Sequence, residues 1–333
     1  MKTDTVAILG ANSAIGWEML RLLQARNFPV ETLLPLDTDG GAVIFRGKRI
    51  PVHPISDYAF TGADLVLGAS DGDTARRFAP AIARAGAVFV DSSTAFRLEE
   101  TVPLVVPEVN PADIQSHRGI IASPNGVTTI ALTAIAPLQA LSPIRSVQAV
   151  TCQAVSGAGA AGPVELTQQV FSLTQGESPM PRVFPHPIAY NLIPRIGPLQ
   201  EQGYTAEEMR LQYEGRRILH LPEFAASCTC IRVPVVRSHS ICATVCFEKP
   251  VSADEARTIL ENAPGCRLLD DLPAEAYPMP LYASDQDGVQ VGRIRPDLTD
   301  ATRLCRWCCG DQLRKGSAAN VLQIAELLLP EAP

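Results

Sequence analysis

A strand, a glycine-rich loop and a helix follow one another at the start of the chain, and this order restricts the fold more than any other feature. Residues 5–9 are a continuous apolar strand, residues 10–16 read Gly-Ala-Asn-Ser-Ala-Ile-Gly, and an apolar helical pattern continues to Leu23. In dinucleotide-binding units the glycines permit a tight turn, and the helix start holds the pyrophosphate. We therefore predict an α/β chain that opens with a Rossmann-type domain.

The loop and the next strand end supply the first predicted cofactor residues. Those in the loop are Gly10, Asn12, Ser13, Ala14, Ile15 and Gly16. Ser13 stands where a G-x-x-G-x-x-G loop has its middle glycine, so its Cβ is expected to weaken or abolish binding, and a turn that binds nothing stays open. Asp37 ends the second predicted strand, where a carboxylate can bind a ribose hydroxyl and repel a 2′-phosphate. This favours NAD over NADP, although Asp37 as a simple turn residue is an equal alternative.

Strands and helices alternate as far as residue 141, which predicts a doubly wound parallel sheet with right-handed crossovers. The predicted strands are 5–9, 31–36, 64–69, 87–91 and 119–122, and the predicted helices after the first are 74–85 and 129–141. From residue 145 the pattern changes to a mostly antiparallel sheet, in which 228–236 and 241–248 are expected to pair. We expect a first domain at 1–130 that helix 315–330 completes, and a second at 131–314.

Composition excludes several classes of protein. The 333 residues are 46% apolar with a net charge of −7, so a basic field for nucleic acid is absent. No apolar run approaches the ~20 residues that span a membrane, and a cytoplasmic protein is expected. The nine cysteines are an odd number without zinc-site spacing, which predicts reduced thiols and no metal.

Residues 123–129 form a predicted strand-to-helix corner, and its tip carries no reactive side chain. Corners of this kind point a side chain into the cleft at the carboxyl end of a sheet, and nucleophiles often stand there. Here the residue is Gly126. Arg97, which follows another strand end among hydroxyl residues, is a candidate anion clamp, with a plain surface arginine as the alternative.

Several motifs together resemble the aspartate-semialdehyde dehydrogenase family along nearly the whole chain. The matching stretches are 10–16, 92–97, 106–111, 123–125, 153–159, 191–194, 207–210, 232–235, 239–240, 291–294 and 315–323. The resemblance implies a Rossmann domain, an α/β dimerisation and substrate domain, and a homodimer. It also implies phosphate-dependent interconversion of L-aspartate 4-semialdehyde and aspartyl phosphate with NADP, through a cysteine thioester.

The same resemblance assigns roles by position. It makes His239 the general acid/base, Gln153 the residue that orients the substrate, and Arg232 the partner of the substrate carboxylate. Glu208 would receive the substrate ammonium. The other implied site residues are Arg97, Asn125 and Arg210 for the substrate or phosphate, and Ser156, Gly157 and Gln323 for the cofactor.

The departures from the family pattern define two hypotheses. Gly126 replaces the nucleophilic cysteine, and the turn at 37–40 has carboxylates where the family has an arginine for the 2′-phosphate. This pattern resembles the Usg-type homologues, so we expect a binding or regulatory protein with a small amino-acid or anion ligand and no phosphorylating dehydrogenase activity. The alternative is an NAD(P)-dependent aldehyde oxidoreductase of amino-acid biosynthesis. Rescue by Cys152 is disfavoured because strand alternation puts Cys152 and Gln153 on opposite faces.

Overall fold

A computed structural model describes residues 4–330 of the chain. Its strands are β1 Thr5–Leu9, β2 Thr32–Asp37, β3 Gly41–Phe45, β4 Lys48–Pro54, β5 Leu65–Gly68, β6 Val88–Asp91, β7 Ile120–Ala122, β8 Ile144–Gln153, β9 Ala225–Arg232, β10 His239–Phe247, β11 Cys266–Leu268, β12 Val289–Pro296 and β13 Arg303–Gly310. Its α-helices are α1 Ala14–Ala25, α2 Gly72–Arg84, α3 Gly126–Ile135, α4 Ala161–Thr174, α5 Ala206–Ile218, α6 Ala253–Asn262, α7 Pro280–Ala283 and α8 Ala319–Leu327. Within residues 4–330 no helix is long and apolar enough to cross a membrane.

The chain divides into two compact units, one of residues 1–125 with 316–333 and one of residues 126–315. The first unit holds a sheet in the order β3-β4-β2-β1-β5-β6-β7. Strand β1 pairs in parallel with β2 and β5, and its Val6–Leu9 segment is fully buried, as expected for a central parallel strand covered on both faces. Apolar residues of α1 and α8 belong to the same core as β1. The predicted Rossmann-type sheet is confirmed.

One part of this sheet differs from the prediction. Strands β3 and β4 form an antiparallel pair, and β4 joins β2 in parallel through Leu36 and Asp37. The turn between β3 and β4 contains Arg46 and Gly47, both with positive φ, which is the backbone of a tight hairpin turn. The sheet is therefore mixed at one edge, because a short hairpin extends the parallel strands.

The second unit holds a six-stranded mixed sheet in the order β11-β12-β13-β10-β8-β9. Three of its five pairings are antiparallel, and β9 runs parallel to β8. The predicted antiparallel pairing of 228–236 with 241–248 is wrong, because β8 lies between β9 and β10. Instead of turning back on β9, the chain after Arg232 crosses the end of β8. It forms hydrogen bonds there from Val233 N to Gln153 O and from Val155 N to Val235 O.

Helix α5 covers the free edge of this sheet. Its residues Glu208, Gln212 and Arg216 are spaced four apart and therefore lie on one face of the helix. Glu208 accepts from Cys230 N, Gln212 accepts from Ala226 N, and Arg216 donates to Phe224 O. The helix thus satisfies backbone groups that an edge strand would otherwise expose.

Candidate active site

The loop between β1 and α1 is built by close backbone packing. Gly10 has φ +91°, and a Cβ there would lie 2.7 Å from the carbonyl carbon of Ala69. A Cβ on Gly16 would strike the carbonyl oxygen of Gly10. Both positions therefore require glycine. The resulting cradle at the start of a twelve-residue helix fits the pyrophosphate of a dinucleotide.

Ser13 has a structural role in this loop. Its hydroxyl accepts a hydrogen bond from Gly16 N at 3.0 Å and lies 2.8 Å from Gly10 O and 2.9 Å from Ala69 O. Ser13 is thus the N-cap of α1, and its side chain points at backbone of the loop and of the residue after β5. That its Cβ weakens cofactor binding stays a prediction.

Asp37 fastens the loop to the end of β2. One carboxylate oxygen accepts from Asn12 N at 2.8 Å, and the other accepts from Thr38 N at 2.7 Å. Asn12 also donates through its side chain to Asp39 O at 3.0 Å. The acidic group therefore lies beside the glycine loop, where a ribose would be bound, and it also stabilises the turn.

Arg97 is buried and holds two backbone carbonyls at the edge of the first sheet. Its Nε donates to Ser123 O at 3.0 Å and its Nη2 donates to Ser92 O at 2.6 Å. Burial raises the pKa of Asp91, the residue before Ser92. Arg97 therefore braces the segment after β6 against the residue after β7, and its role as an anion clamp stays a prediction.

The remaining predicted residues of the first unit are Asn125 and Gln323. Asn125 is half-buried and ends the first continuous stretch of that unit. Gln323 donates from Nε2 to Glu108 at 2.8 Å, so the side chain is oriented by an acidic neighbour of the same unit. Both assigned roles stay predictions.

Gly126 is the first residue of α3 and is half-buried. The helix was expected to begin at residue 129, and its start at 126 puts the predicted nucleophile position in its first turn. Residues 127–135 of the helix are all buried. A cysteine here would gain thiolate stability from the helix start, but the chain has no side chain at this position.

The second sheet brings Gln153, Arg232 and His239 to one edge. Strands β8 and β9 are parallel and end together at the register pair Gln153 and Arg232, and antiparallel β10 begins beside them at His239. All three side chains are buried. The pairing of these three strands therefore explains why residues up to 86 positions apart lie together.

His239 is held as a neutral imidazole. Its Nδ1 accepts a hydrogen bond from Ala154 N at 3.2 Å, so the proton of the neutral ring resides on Nε2. Burial and the nearby Arg232 cation lower the pKa of His239 to about 3. Around neutral pH the ring therefore offers an Nε2–H donor. For Nε2 to accept a proton instead, the proton of the neutral ring must lie on Nδ1, and the Ala154 hydrogen bond is then lost.

The backbone at Gly157 lies close to the side chains of Arg232 and His239. A Cβ at Gly157 would lie 2.7 Å from Nη1 of Arg232 and 3.3 Å from Nε2 of His239. Nη1 of Arg232 also donates to Ala154 O at 2.6 Å. The turn after β8 thus packs directly on Arg232 and His239, and a side chain at Gly157 would require the Arg232 guanidinium to move.

Ser156 is linked to His239 by a residue that the sequence prediction missed. Gln312 donates to the Ser156 hydroxyl and accepts from Ser238 N at 3.0 Å, and Ser238 has φ +75°. Gln312 thereby holds the strained residue before His239 against the turn after β8. No local sequence signal indicates this bridge, because Gln312 lies 156 residues from Ser156.

The structure shows Glu208 engaged in contacts within its own unit, and its assignment to a ligand ammonium stays a prediction. Its Oε2 accepts from Thr205 N at 2.8 Å and from the Thr205 hydroxyl at 3.0 Å, which completes a capping box. Its Oε1 accepts from Cys230 N. Both oxygens therefore serve the fold.

Glu207 is the acidic residue that faces the site. Its carboxylate lies 3.1 Å from Nε of Arg210 and 3.4 Å from Nε2 of Gln153. Residues three apart share a helix face, so Glu207 and Arg210 project together. The pattern Thr-x-x-Glu at 205–208 was the signal that Glu208 would turn back to the helix start.

Cys152 does not share the face of Gln153. Its ladder partner is Ser240, the residue after His239, whereas Gln153 lies beside Thr151 on the buried side. Burial raises the pKa of Cys152 and opposes formation of its thiolate. Both observations weigh against Cys152 as a replacement nucleophile.

Comparison with known proteins agrees with this architecture. Residues 5–117 match the semialdehyde dehydrogenase NAD-binding domain, and residues 135–315 match the semialdehyde dehydrogenase dimerisation domain. The aspartate-semialdehyde dehydrogenase of Synechocystis is 43% identical over 97% of both chains, and that of Aquifex aeolicus is 41% identical over 98% of both. The crystal structure of aspartate-semialdehyde dehydrogenase II from Vibrio cholerae is 36% identical, with a TM-score of 0.95 over 98% of both chains. The chain belongs to the aspartate-semialdehyde dehydrogenase family.

Proposed function

We propose that this protein is a binding or regulatory member of the family, of the Usg type, which cannot run the phosphorylating dehydrogenase reaction. The observation that carries this proposal is Gly126 at the nucleophile position. Oxidation of an aldehyde to an acyl phosphate needs an acyl group bound to sulfur that phosphate can attack. A helix start without a thiol supplies no such intermediate, and Cys152 lies on the wrong face of β8.

The polar groups of the second unit fit a small amino acid. Arg232 offers a guanidinium to a carboxylate, and Glu207 offers a carboxylate to an ammonium group. Arg210, paired with Glu207 at 3.1 Å, is the second cation of this group. A homologous structure of the Vibrio cholerae enzyme is described as complexed with ASA. We therefore assign a short acidic amino acid, or its semialdehyde, as the ligand class.

The glycine cradle of the first unit is proposed to hold NAD. Gly10 and Gly16 allow the loop to pack closely at the start of α1, where helix N–H groups can hold pyrophosphate, and Asp37 offers a carboxylate to a ribose hydroxyl. A nicotinamide cofactor, when bound, supplies a hydride acceptor. The negative charge of Asp37 disfavours a 2′-phosphate. The dimerisation domain supports a homodimer.

The activity test compares the protein with a Gly126→Cys variant. With L-aspartate 4-semialdehyde, phosphate and either NADP or NAD, we expect no reduced cofactor above the blank for the natural chain. Turnover by the purified protein, or an acyl group found on any of its cysteines, would refute the proposal. The variant should have a thiol that reacts with iodoacetamide faster than an ordinary exposed cysteine, because Gln153 and His239 remain.

A control variant makes this test specific to the site. Gly126→Cys combined with His239→Asn should return the thiol to ordinary reactivity. Equal reactivity of the single and double variants would show that the remaining residues do not form a thiol pocket. Thermal-shift titration of the natural chain with NAD and with NADP then tests the cofactor, and the larger shift is expected with NAD.

A second function has support from the state of His239. Its Nε2–H can donate to a carbonyl oxygen in an NAD-linked reduction that forms no covalent intermediate. Reduction of the semialdehyde by NADH, independent of phosphate and abolished in His239→Asn, would favour this enzyme over a binding protein.

A further inference from the structure

Two buried polar residues of α4 fix a segment without regular structure, residues 180–189, here named the strap. Glu165 accepts hydrogen bonds from the backbone N–H groups of Arg182 and Val183 near one end. Gln169 accepts from Ile188 N at 2.8 Å and from Ala189 N at 3.0 Å at the other end. The Gln169 amide also donates to Glu165 at 2.9 Å. A single helix thus holds both ends of the strap.

Phe184 lies between these two anchor points and is buried. It packs in a small apolar cluster of the second unit. A Cβ on Gly162, the second residue of α4, would strike the carbonyl oxygen of Val155 and lie 3.4 Å from the tip of the Phe184 ring, so the ring lies against the first turn of this helix. The strap therefore fixes one aromatic ring in one place.

The ring faces the guanidinium of Arg232. The guanidinium carbon lies 5.9 Å from the centroid of Phe184, within the range of a cation–π interaction. Only 6% of Arg232 is exposed, and burial lowers its pKa. A cation removed from water gains more from an aromatic face than an exposed one does. The Phe184 ring is thus a second contact that holds the Arg232 guanidinium, beside the Ala154 carbonyl that accepts a hydrogen bond from Nη1.

We propose that Phe184 is a positioning residue for Arg232, and that the strap is the element that builds the carboxylate subsite. The proposal rests on the proposed function in so far as Arg232 receives the ligand carboxylate. Phe184 acts through Arg232 and need not touch the ligand. The competing view is that Phe184 only fills space, and the two views differ in whether the electrons of the ring matter.

The experiment changes the ring without changing its size. Phe184 is replaced by 4-fluoro-, 3,5-difluoro- and 3,4,5-trifluorophenylalanine, which progressively weaken the negative face of the ring, and by leucine, which removes it. The same replacements at Phe171, a phenylalanine of helix α4 that is 66% exposed, are the matched control. The probe is L-aspartate, with affinity measured by calorimetry.

We expect affinity to fall in step with fluorination, and Phe184→Leu to bind about five- to thirty-fold more weakly. The Phe171 series should match the natural chain. Affinity that stays constant across the fluorinated series would overturn the proposal, because space filling alone is unchanged there. Should Phe184→Leu fail to fold, the fluorinated series still decides.

A second readout separates this inference from the proposed function. Modification of Arg232 by phenylglyoxal, mapped by mass spectrometry, needs no ligand and should accelerate in step with fluorination. If L-aspartate does not bind the natural chain but this trend is found, the ligand assignment fails and the positioning role stands. A flat rate across the series overturns the positioning role. Gln169→Leu, which frees one end of the strap, should reproduce the Phe184→Leu rate.

Discussion

The turn after β8 and the start of α3 each carry a glycine, and the two glycines differ in what surrounds them. A side chain on Gly157 would meet Arg232 and His239 at once. Gly126 is the first residue of a helix, a backbone conformation that any L residue adopts. A side chain at Gly157 therefore requires a buried neighbour to move, whereas the backbone at Gly126 does not demand glycine. The backbone conformation at the predicted nucleophile position is therefore less restrictive than the packing of the turn against Arg232 and His239.

The largest effect is expected from the protonation of His239, which the turn at Gly157 encloses. The unfolded chain binds a proton with the ordinary pKa of 6.5, and the folded chain only near a pKa of about 3. Between these values the unfolded state holds more protons, so lowering the pH favours unfolding. The stability of the folded state with a neutral His239 is therefore greatest above pH 6.5 and decreases as the pH falls toward the folded pKa. The slope is at most about 1.4 kcal/mol per pH unit.

Denaturant titrations of the natural chain and His239→Asn measure this slope. The difference in unfolding free energy between the two proteins should change by about 2–3 kcal/mol from pH 6.5 to pH 4.5. The asparagine of the variant does not titrate, so the effects of the carboxylates common to both proteins cancel in the difference. A difference that is independent of pH would mean that the ring is accessible to protons in the folded state.

Gly157→Ala tests the constrained side of the comparison. The added methyl group would lie 2.7 Å from Nη1 of Arg232, so the guanidinium or the turn must move. We expect a loss of about 1–3 kcal/mol in unfolding free energy, together with weaker L-aspartate binding. Gly159→Ala, two residues later, has open space around its Cβ but a φ of +80°, and controls for backbone strain alone. Equal affinity in Gly157→Ala and the natural chain would show that the turn is loose.

Gln312→Leu tests whether the turn and His239 are held together from outside. The substitution removes the hydrogen bonds to Ser156 and Ser238 and leaves a buried N–H without an acceptor. We expect a cost of about 1–2 kcal/mol and a shifted imidazole nitrogen resonance of His239. Gln312→Glu keeps the acceptor for Ser238 and should retain most of the stability. A resonance unchanged in Gln312→Leu would limit this residue to general packing.

The sequence predicted the elements that depend on local pattern. The apolar run of β1 and the glycines at 10 and 16 mark the opening of the first unit because each acts within a few residues. The family motifs identified Gln153, Arg232 and His239, and the parallel ending of β8 and β9 explains their meeting. The opening loop is fixed by short-range geometry, whereas the meeting of the three motif residues depends on pairing between distant strands.

The features that the sequence did not predict depend on contacts between distant residues. The insertion of β8 between β9 and β10 consists of strand pairing between distant segments, which no local pattern specifies. Phe184 and Gln312 act across intervals of 48 and 156 residues. The capping box that engages Glu208 is, by contrast, a local signal, because it lies in the pattern Thr-x-x-Glu at 205–208.

Gly126→Ala tests the unconstrained side of the comparison and has the smallest expected effect. Alanine loses less conformational freedom than glycine when it enters a helix, so the variant should be more stable by up to about 1 kcal/mol. Denaturant unfolding and L-aspartate affinity, measured beside Gly157→Ala, provide the comparison. A destabilised Gly126→Ala would mean that neighbouring groups fill the space beside the Cα of Gly126. In that case Gly126 would be as constrained as Gly157, and restoring cysteine there would not restore a reactive site.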